Sequence, residues 1–250
     1  MLFLRKLHKW LGLIVGLQLV LWTVSGSVFA WLSHHEVEAA QSVRVPAVGH
    51  INPETAISEP STWLAAYPTD RIYELRLTSL AGEPVWRVEL ADRVELRRAS
   101  DGELLHLDEP RVRHLAVTHY AGHGRLVGLT YQATSGLETR KSGPVWQARF
   151  DDAQRTALYF SADDGHFVAA RTSSWRLFDF FWMLHTMDYA GRDNFNNPLV
   201  ITVATGALWL ALSGLLLLTR SFRRKDFAIF GLGHPRRNPN PGPSRAARRR

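Results

Sequence analysis

The chain has 250 residues, no cysteine and a formal charge of +7. Without cysteine there is no thiol catalysis, no disulfide and no cysteine-held zinc or iron–sulfur cluster. The positive excess invites a nucleic-acid reading, but residues 33–197 carry 17 basic and 22 acidic side chains, while residues 220–250 carry ten basic and one acidic. The excess flanks two apolar stretches, which is the asymmetry of membrane topology and argues against nucleic acid.

Residues 1–6 form a short basic start, with Lys9 close behind. Residues 7–32 follow as the first apolar stretch, uncharged from Leu11 to Leu32. That length crosses a hydrocarbon core of about 30 Å. Trp10 and Trp31 bracket it like an interfacial aromatic belt, about 31 Å apart at helical rise. On a helical wheel His8, Gly12, Gly16, Thr23, Gly26 and Ala30 share a sector of roughly 80°. Small residues on one face admit another backbone or a flat ligand. A cleaved signal peptide is the rival reading, with Val28 and Ala30 at the cleavage motif. The length of the run and a second span near the C-terminus argue against it.

The middle of the chain reads as α+β. Asn52-Pro53-Glu54 has the form of a helix start, with the helix running through Trp63. Residues 71–79, 85–90 and 94–98 alternate apolar and polar as strands, with turns at Ala81-Gly82 and Asp101-Gly102. The pattern then recurs. Asp108-Glu109-Pro110 opens a helix, strands follow near 125–133, 145–150 and 155–161, and Asp164-Gly165 makes the closing turn. Pro84-Val85-Trp86 and Pro144-Val145-Trp146 lie 60 residues apart, and the two Asp-Gly pairs 63 apart. Two helix-plus-hairpins modules, 47–107 and 108–170, are the simplest account. Residues 175–190 suggest an amphipathic helix at, or dipping into, the outer interface. Asn197 and Pro198 start a second span over 198–219, with Thr202, Gly206 and Gly214 on its close-packing face. Residues 220–250 form a basic tail, expected to be disordered from about 231. The charge pattern places both termini in the cytoplasm and the modules outside it.

The stretches RKLHKWLGLIVGLQLVLWTVSGSVF and LHTMDYAGRDNFNNPLVITVATGALWLALSGLLLL, with the repeated Val-Trp hairpins between them, resemble the PepSY-associated transmembrane family of bacteria. The resemblance implies an inner-membrane protein with two transmembrane helices flanking a periplasmic pair of PepSY-like modules. Some relatives are ferric-siderophore reductases that hold b-type haem between histidines. Others are known only by the PepSY module, linked to peptidase inhibition and surface regulation. Haem b, iron uptake and electron transfer are therefore what the resemblance suggests. A non-catalytic anchored module with a periplasmic peptide or protein partner is the alternative.

Histidines are the credible ligand set. His8 lies at the inner end of the first span, His34 and His35 at its outer end, and His185 before the second. His8 and His34 are about 39 Å apart if helical, so they cannot share a metal. His185 with His34 or His35 could hold an outer haem, with Gly12 and Gly16 against the ring, and His8 could serve an inner site. Two spans are too little wall for a porphyrin, which points to a homodimer. His114, His119 and His123 are weaker candidates for a metal. There is no triad order, P-loop or dinucleotide fingerprint, so electrons must come from a separate donor.

Overall fold

The computed structural model describes residues 2–39, 41–44, 57–67, 71–140 and 143–221. The expected helix start at Asn52 and the basic tail beyond Ser221 lie outside the described residues. The architecture is α+β, with two long apolar helices flanking two four-stranded antiparallel sheets. By contact the chain divides into two compact units. One combines residues up to Gln18 with those from Thr202 on, and the other is Leu19–Ile201.

Helix α1 (Leu2–Trp31) begins five residues before the expected start. Lys6–Trp31 within it is long and apolar enough to cross a membrane. Its polar residues are satisfied internally, since Thr23, Ser25 and Ser27 each donate to the carbonyl four residues back. The helix stops at Trp31, and Ser33 is extended before the short helix α2 (His34–Val37). His34 therefore does not continue the small-residue stripe of α1. Helix α6 (Pro198–Ser221) is the second candidate span, over Pro198–Thr219. Asn197 caps it through its Oδ1, which accepts from Val200 N–H, and Pro198 starts it.

In the first unit α1 and α6 run antiparallel. His8 packs at Gly214, Gly12 at Leu210 and Val15 at Gly206. A Cβ on Gly214 would come 3.3 Å from the His8 ring, and one on Gly206 3.4 Å from Val15. The two glycines thus let the helices approach closely.

The second unit holds the sheets. Sheet one has the order β1 (Ile72–Leu80), β2 (Glu83–Leu90), β3 (Val94–Arg98) and β4 (Leu104–Leu105). Helix α3 (Ser61–Leu64) covers one face, burying Trp63 and Tyr67 against Val88 and Leu90. Helix α4 (Glu109–His119) follows, capped by Asp108, with Pro110 in its first turn. Sheet two has the order β5 (Leu126–Gln132), β6 (Val145–Phe150), β7 (Ala157–Ser161) and β8 (Phe167–Arg171). The short strand β4 and the strand β8 were not anticipated. Helix α5 (Ser173–Thr186) is capped by Thr172, whose Oγ1 accepts from Trp175 N–H. It ends where Met187 turns left-handed at φ 55°.

One core joins the two sheets. Val85 and Leu96 of sheet one, Leu115 and Ala116 of α4, and Ala148, Phe150, Leu158 and Phe160 of sheet two are buried together. Each module's helix covers the same face of its own sheet: α3 on Val88, α4 on Ala148. The opposite face of sheet one then rests on α4 as well. The modules are stacked rather than independent.

Candidate functional site

The two span-associated histidines are held alike. In the first unit His8 Nδ1 lies 2.8 Å from Ser213 Oγ. In the second, His185 Nδ1 lies 2.8 Å from Ser25 Oγ. Each serine has one hydroxyl hydrogen, and each directs it along its own helix. Ser25 Oγ donates to Leu21 O at 2.8 Å, and Ser213 Oγ to Leu210 O at 3.0 Å. With the hydroxyl hydrogen so directed, each oxygen is free to accept from Nδ1, and in the tautomer protonated there Nε2 carries the lone pair. Neither Nε2 has a hydrogen-bond partner among the described residues. Ser25 is fully buried and Ser213 nearly so.

His185 is further framed by α1. Trp22 Nε1 donates to the His185 carbonyl at 2.8 Å. The Trp22 and Phe29 rings lie 6.3 and 5.5 Å from its imidazole. Trp182 and Phe178, one and two turns earlier on α5, pack on Phe29. His185 therefore lies beside Trp22 and Ser25, about two turns in from the C-terminal end of α1.

The other proposed residues are placed differently. His34 is exposed, its Nε2 3.0 Å from Glu38, and its ring neighbour is His35 at 6.4 Å. The ring neighbours of His185 are Trp22 and Phe29, so α2 and α5 do not bring His34 or His35 to it as a ligand pair. Gly12 meets α6 at Leu210, whereas Gly16 and Gly26 have nothing within 4 Å of an added Cβ. The glycine stripe is thus divided between a helix contact and an open face. Among the described residues no cluster of three or more His, Asp or Glu could hold a metal ion. His119 donates through Nδ1 to Leu115 O and packs on Phe160 and Phe167. The serine partners escaped the sequence reading, because a serine across a helix pair has no signature in spacing. The one available hint was Trp22, Ser25 and Phe29 at helical intervals on one side of the first span.

A second polar centre joins the modules. Arg87 of β2 binds Asp164 of the closing turn in sheet two at 3.0 Å, and also Glu74 and Glu89. Asp164 is buried, and hydrogen bonds from His166 and Arg87 outweigh burial to hold its carboxyl well below the usual range. The same contact raises His166. Beside it a cleft of about 660 Å³ runs along the edge strand β1 to Phe167.

The chain thus combines two apolar helices of spanning length with a duplicated sheet module between them. The sequence profile described as PepSY-associated TM region matches residues 5–241. The chain belongs to the PepSY-associated transmembrane family. Neither a curated protein nor a solved structure matches the chain. As a PepSY-associated protein it is a membrane protein in contact with the lipid bilayer.

Proposed function

We propose that this PepSY-associated protein is a b-haem electron carrier or reductase component of the bacterial inner membrane, linked to iron uptake. In this reading both termini are cytoplasmic and the modules periplasmic. The observation that supports it is the pairing of His8 with Ser213 and of His185 with Ser25. Each serine accepts the Nδ1 proton and leaves Nε2 as a ligand. Metal-bound histidines are commonly oriented by such an acceptor on the second ring nitrogen. Haem b, when bound by these histidines, would supply one-electron transfer. The chain's own part is to fix the tautomer and surround His185 with Trp22 and Phe29. His8 or His185, each held by a serine, would hold the haem together with a histidine from a second copy of the chain. The open Gly16 and Gly26 face is where that copy packs. A separate protein donates the electrons.

A second reading is a non-catalytic anchored module that binds a peptide or protein partner, favoured by the cleft along β1. A visible spectrum of full-length protein, produced with ample haem supply, separates the two. Under the haem reading a low-spin Soret band is present. His185→Ala or His8→Ala removes or shifts it, and Ser25→Ala weakens it about 10-fold or more in haem affinity. No Soret band, or a spectrum unchanged in both histidine variants, overturns the haem reading in favour of the binding module.

A further inference from the structure

Strand β1 is nine residues long and ends sheet one, with β2 as its neighbour. The hairpin that joins them fixes which way its backbone groups point. Ala81 and Gly82 form the whole loop, both with positive φ, at 51° and 92°. In such a two-residue hairpin the flanking pair, Leu80 and Glu83, exchanges both backbone hydrogen bonds. Thr78 and Arg76, at every second residue back along β1, bond β2 in the same way. Ser79, Leu77 and Leu75 therefore turn their N–H and C=O groups away from β2. Pro84 fits this phase. It lies opposite Ser79, has no N–H to give, and its carbonyl accepts from Ala99 N–H on the β3 side. Among the described residues no hydrogen bond reaches the outward backbone groups of Leu75, Leu77 or Ser79.

Exposed sheet edges are normally blunted by charge, proline or a bulge. Strand β1 has such devices at its start, in the bulge between Ile72 and Glu74 and in the charges of Glu74 and Arg76. From Leu77 to Leu80 it has none. That stretch borders the cleft of about 660 Å³. Arg76, Thr78 and Leu80 share one face of the strand and line the cleft, together with Leu115 of α4 and Phe167 of β8. Leu77 lies on the other face, level with Trp86.

A row of backbone donors and acceptors at two-residue spacing, beside a partly apolar cleft, matches an extended polypeptide. Small molecules do not present bonding groups at that repeat. We propose that the Leu75–Ser79 edge of β1 takes an extended peptide as an added antiparallel strand, with every second side chain of the peptide entering the cleft. The antiparallel sense continues the sheet and is the more stable pairing per residue. Strand addition rests on the binding-module reading, gives it a mode, and does not depend on haem.

A blocked heptapeptide alternating threonine and valine, with threonine at both ends, serves as the probe for the full-length protein in detergent. Its valines fit the cleft face and its threonines bond the edge. Amide hydrogen exchange should slow about tenfold or more at Leu75, Leu77 and Ser79 when the peptide is added. The amides of Arg76, Thr78 and Leu80, already bonded to β2, should change little. N-methylation of the threonines should weaken binding about tenfold or more, since it removes the bonds to the edge. N-methylation of the valines should leave binding intact. Ser79→Pro removes one outward N–H and no ladder bond, so it should weaken binding about tenfold with little change in melting temperature. Peptide binding without protection of the three amides overturns strand addition and leaves the binding-module reading standing. Equal sensitivity to the two methylation patterns does the same. No binding of this probe also overturns strand addition, whereas the binding-module reading is judged by the Soret test. Protection already present without peptide overturns it too, and if that protection grows with protein concentration the occupant is a second copy of the chain.

Discussion

The two sheets share a local code and differ in what covers them. Over β2 and β6 the burial alternates almost identically, with Val85, Val88 and Leu90 buried in one and Val145, Ala148 and Phe150 in the other. Ala99 N–H bonds Pro84 O as Ala162 N–H bonds Pro144 O. Gly102 N–H bonds Arg98 O as Gly165 N–H bonds Ser161 O. Trp86 faces Leu77 and Arg97 across its neighbours, and Trp146 faces Tyr131 and Phe160. The next strands part company. In β3 only Leu96 is buried, whereas all five residues of β7 are. Strand β7 lies between the shared core and a polar cover in which Tyr159 O–H donates to Glu138 and Glu138 holds Arg176. Strand β3 has α3 over one face, where Arg97 stacks on Trp63 and Tyr67 and stays half-buried. A repeated sequence pattern sets the hairpin; its place in the stack sets the load each strand bears.

The sharpest way to break this comparison is at its most unequal pair. Phe160→Ala should cost about 3–5 kcal/mol, by removing a ring from a packed core. Arg97→Ala, at the matching position, should cost less, about 1–2 kcal/mol, from cation–π stacking and two hydrogen bonds, to Tyr67 Oη and Gly102 O. Thermal unfolding of the full-length protein in detergent measures both. Similar losses at the two sites would mean that stacking does not distinguish the modules.

The Asp-Gly turns should instead behave alike. Gly102 and Gly165 have φ of 76° and 70°. A Cβ would come 2.1 Å from Trp63 at the first and 2.8 Å from Leu80 at the second. Gly102→Ala and Gly165→Ala should each lower stability by more than about 1 kcal/mol, through strain plus crowding. A variant that matched the unaltered protein would show that its turn is not held as its counterpart is.

The smallest effect lies in the Arg87–Asp164–His166 contact, which has no counterpart at the first turn. The lowered carboxyl of Asp164 adds stability above its unfolded pKa of about 4. That contribution is lost as pH falls through the depressed folded value. His166 is raised, so its share is full below about 6.5 and lost as pH rises through the folded value. His166→Ala should therefore flatten the decline of stability on the alkaline side and also weaken the acid limb, because Asp164 loses one of the hydrogen bonds that lower it. An unchanged slope above neutral pH in His166→Ala, from unfolding curves at several pH values, would remove His166 from the module contact.

Much of the fold was legible before any coordinates. The two apolar runs, the six principal strands and the 60-residue repeat all rest on period and turn chemistry, which act within a few residues. Asp108 and Asn197 were readable as caps for the same reason. Strand β4, two residues long, and β8, whose Phe-Val-Ala-Ala-Arg has no alternation, had no such signal. Of the candidate site, the sequence singled out His8, His34, His35 and His185 as residue types near the ends of apolar helices. It placed His34 and His35 beside His185 because the charge pattern assigned all three to one side of the membrane.

By itself, then, the chain's order of residues determined two spans, a duplicated α+β middle and the histidines worth inspecting. Hydrophobic period and charge asymmetry are properties of short windows and survive without tertiary contact. Only the tertiary structure decided that Ser213 and Ser25 hold the histidines, 205 and 160 residues away along the chain. It also decided that Gly12 meets α6 while Gly16 stays open, and that one core serves both sheets. Those outcomes depend on which helix faces meet, and the facing residues come from segments that no local pattern links.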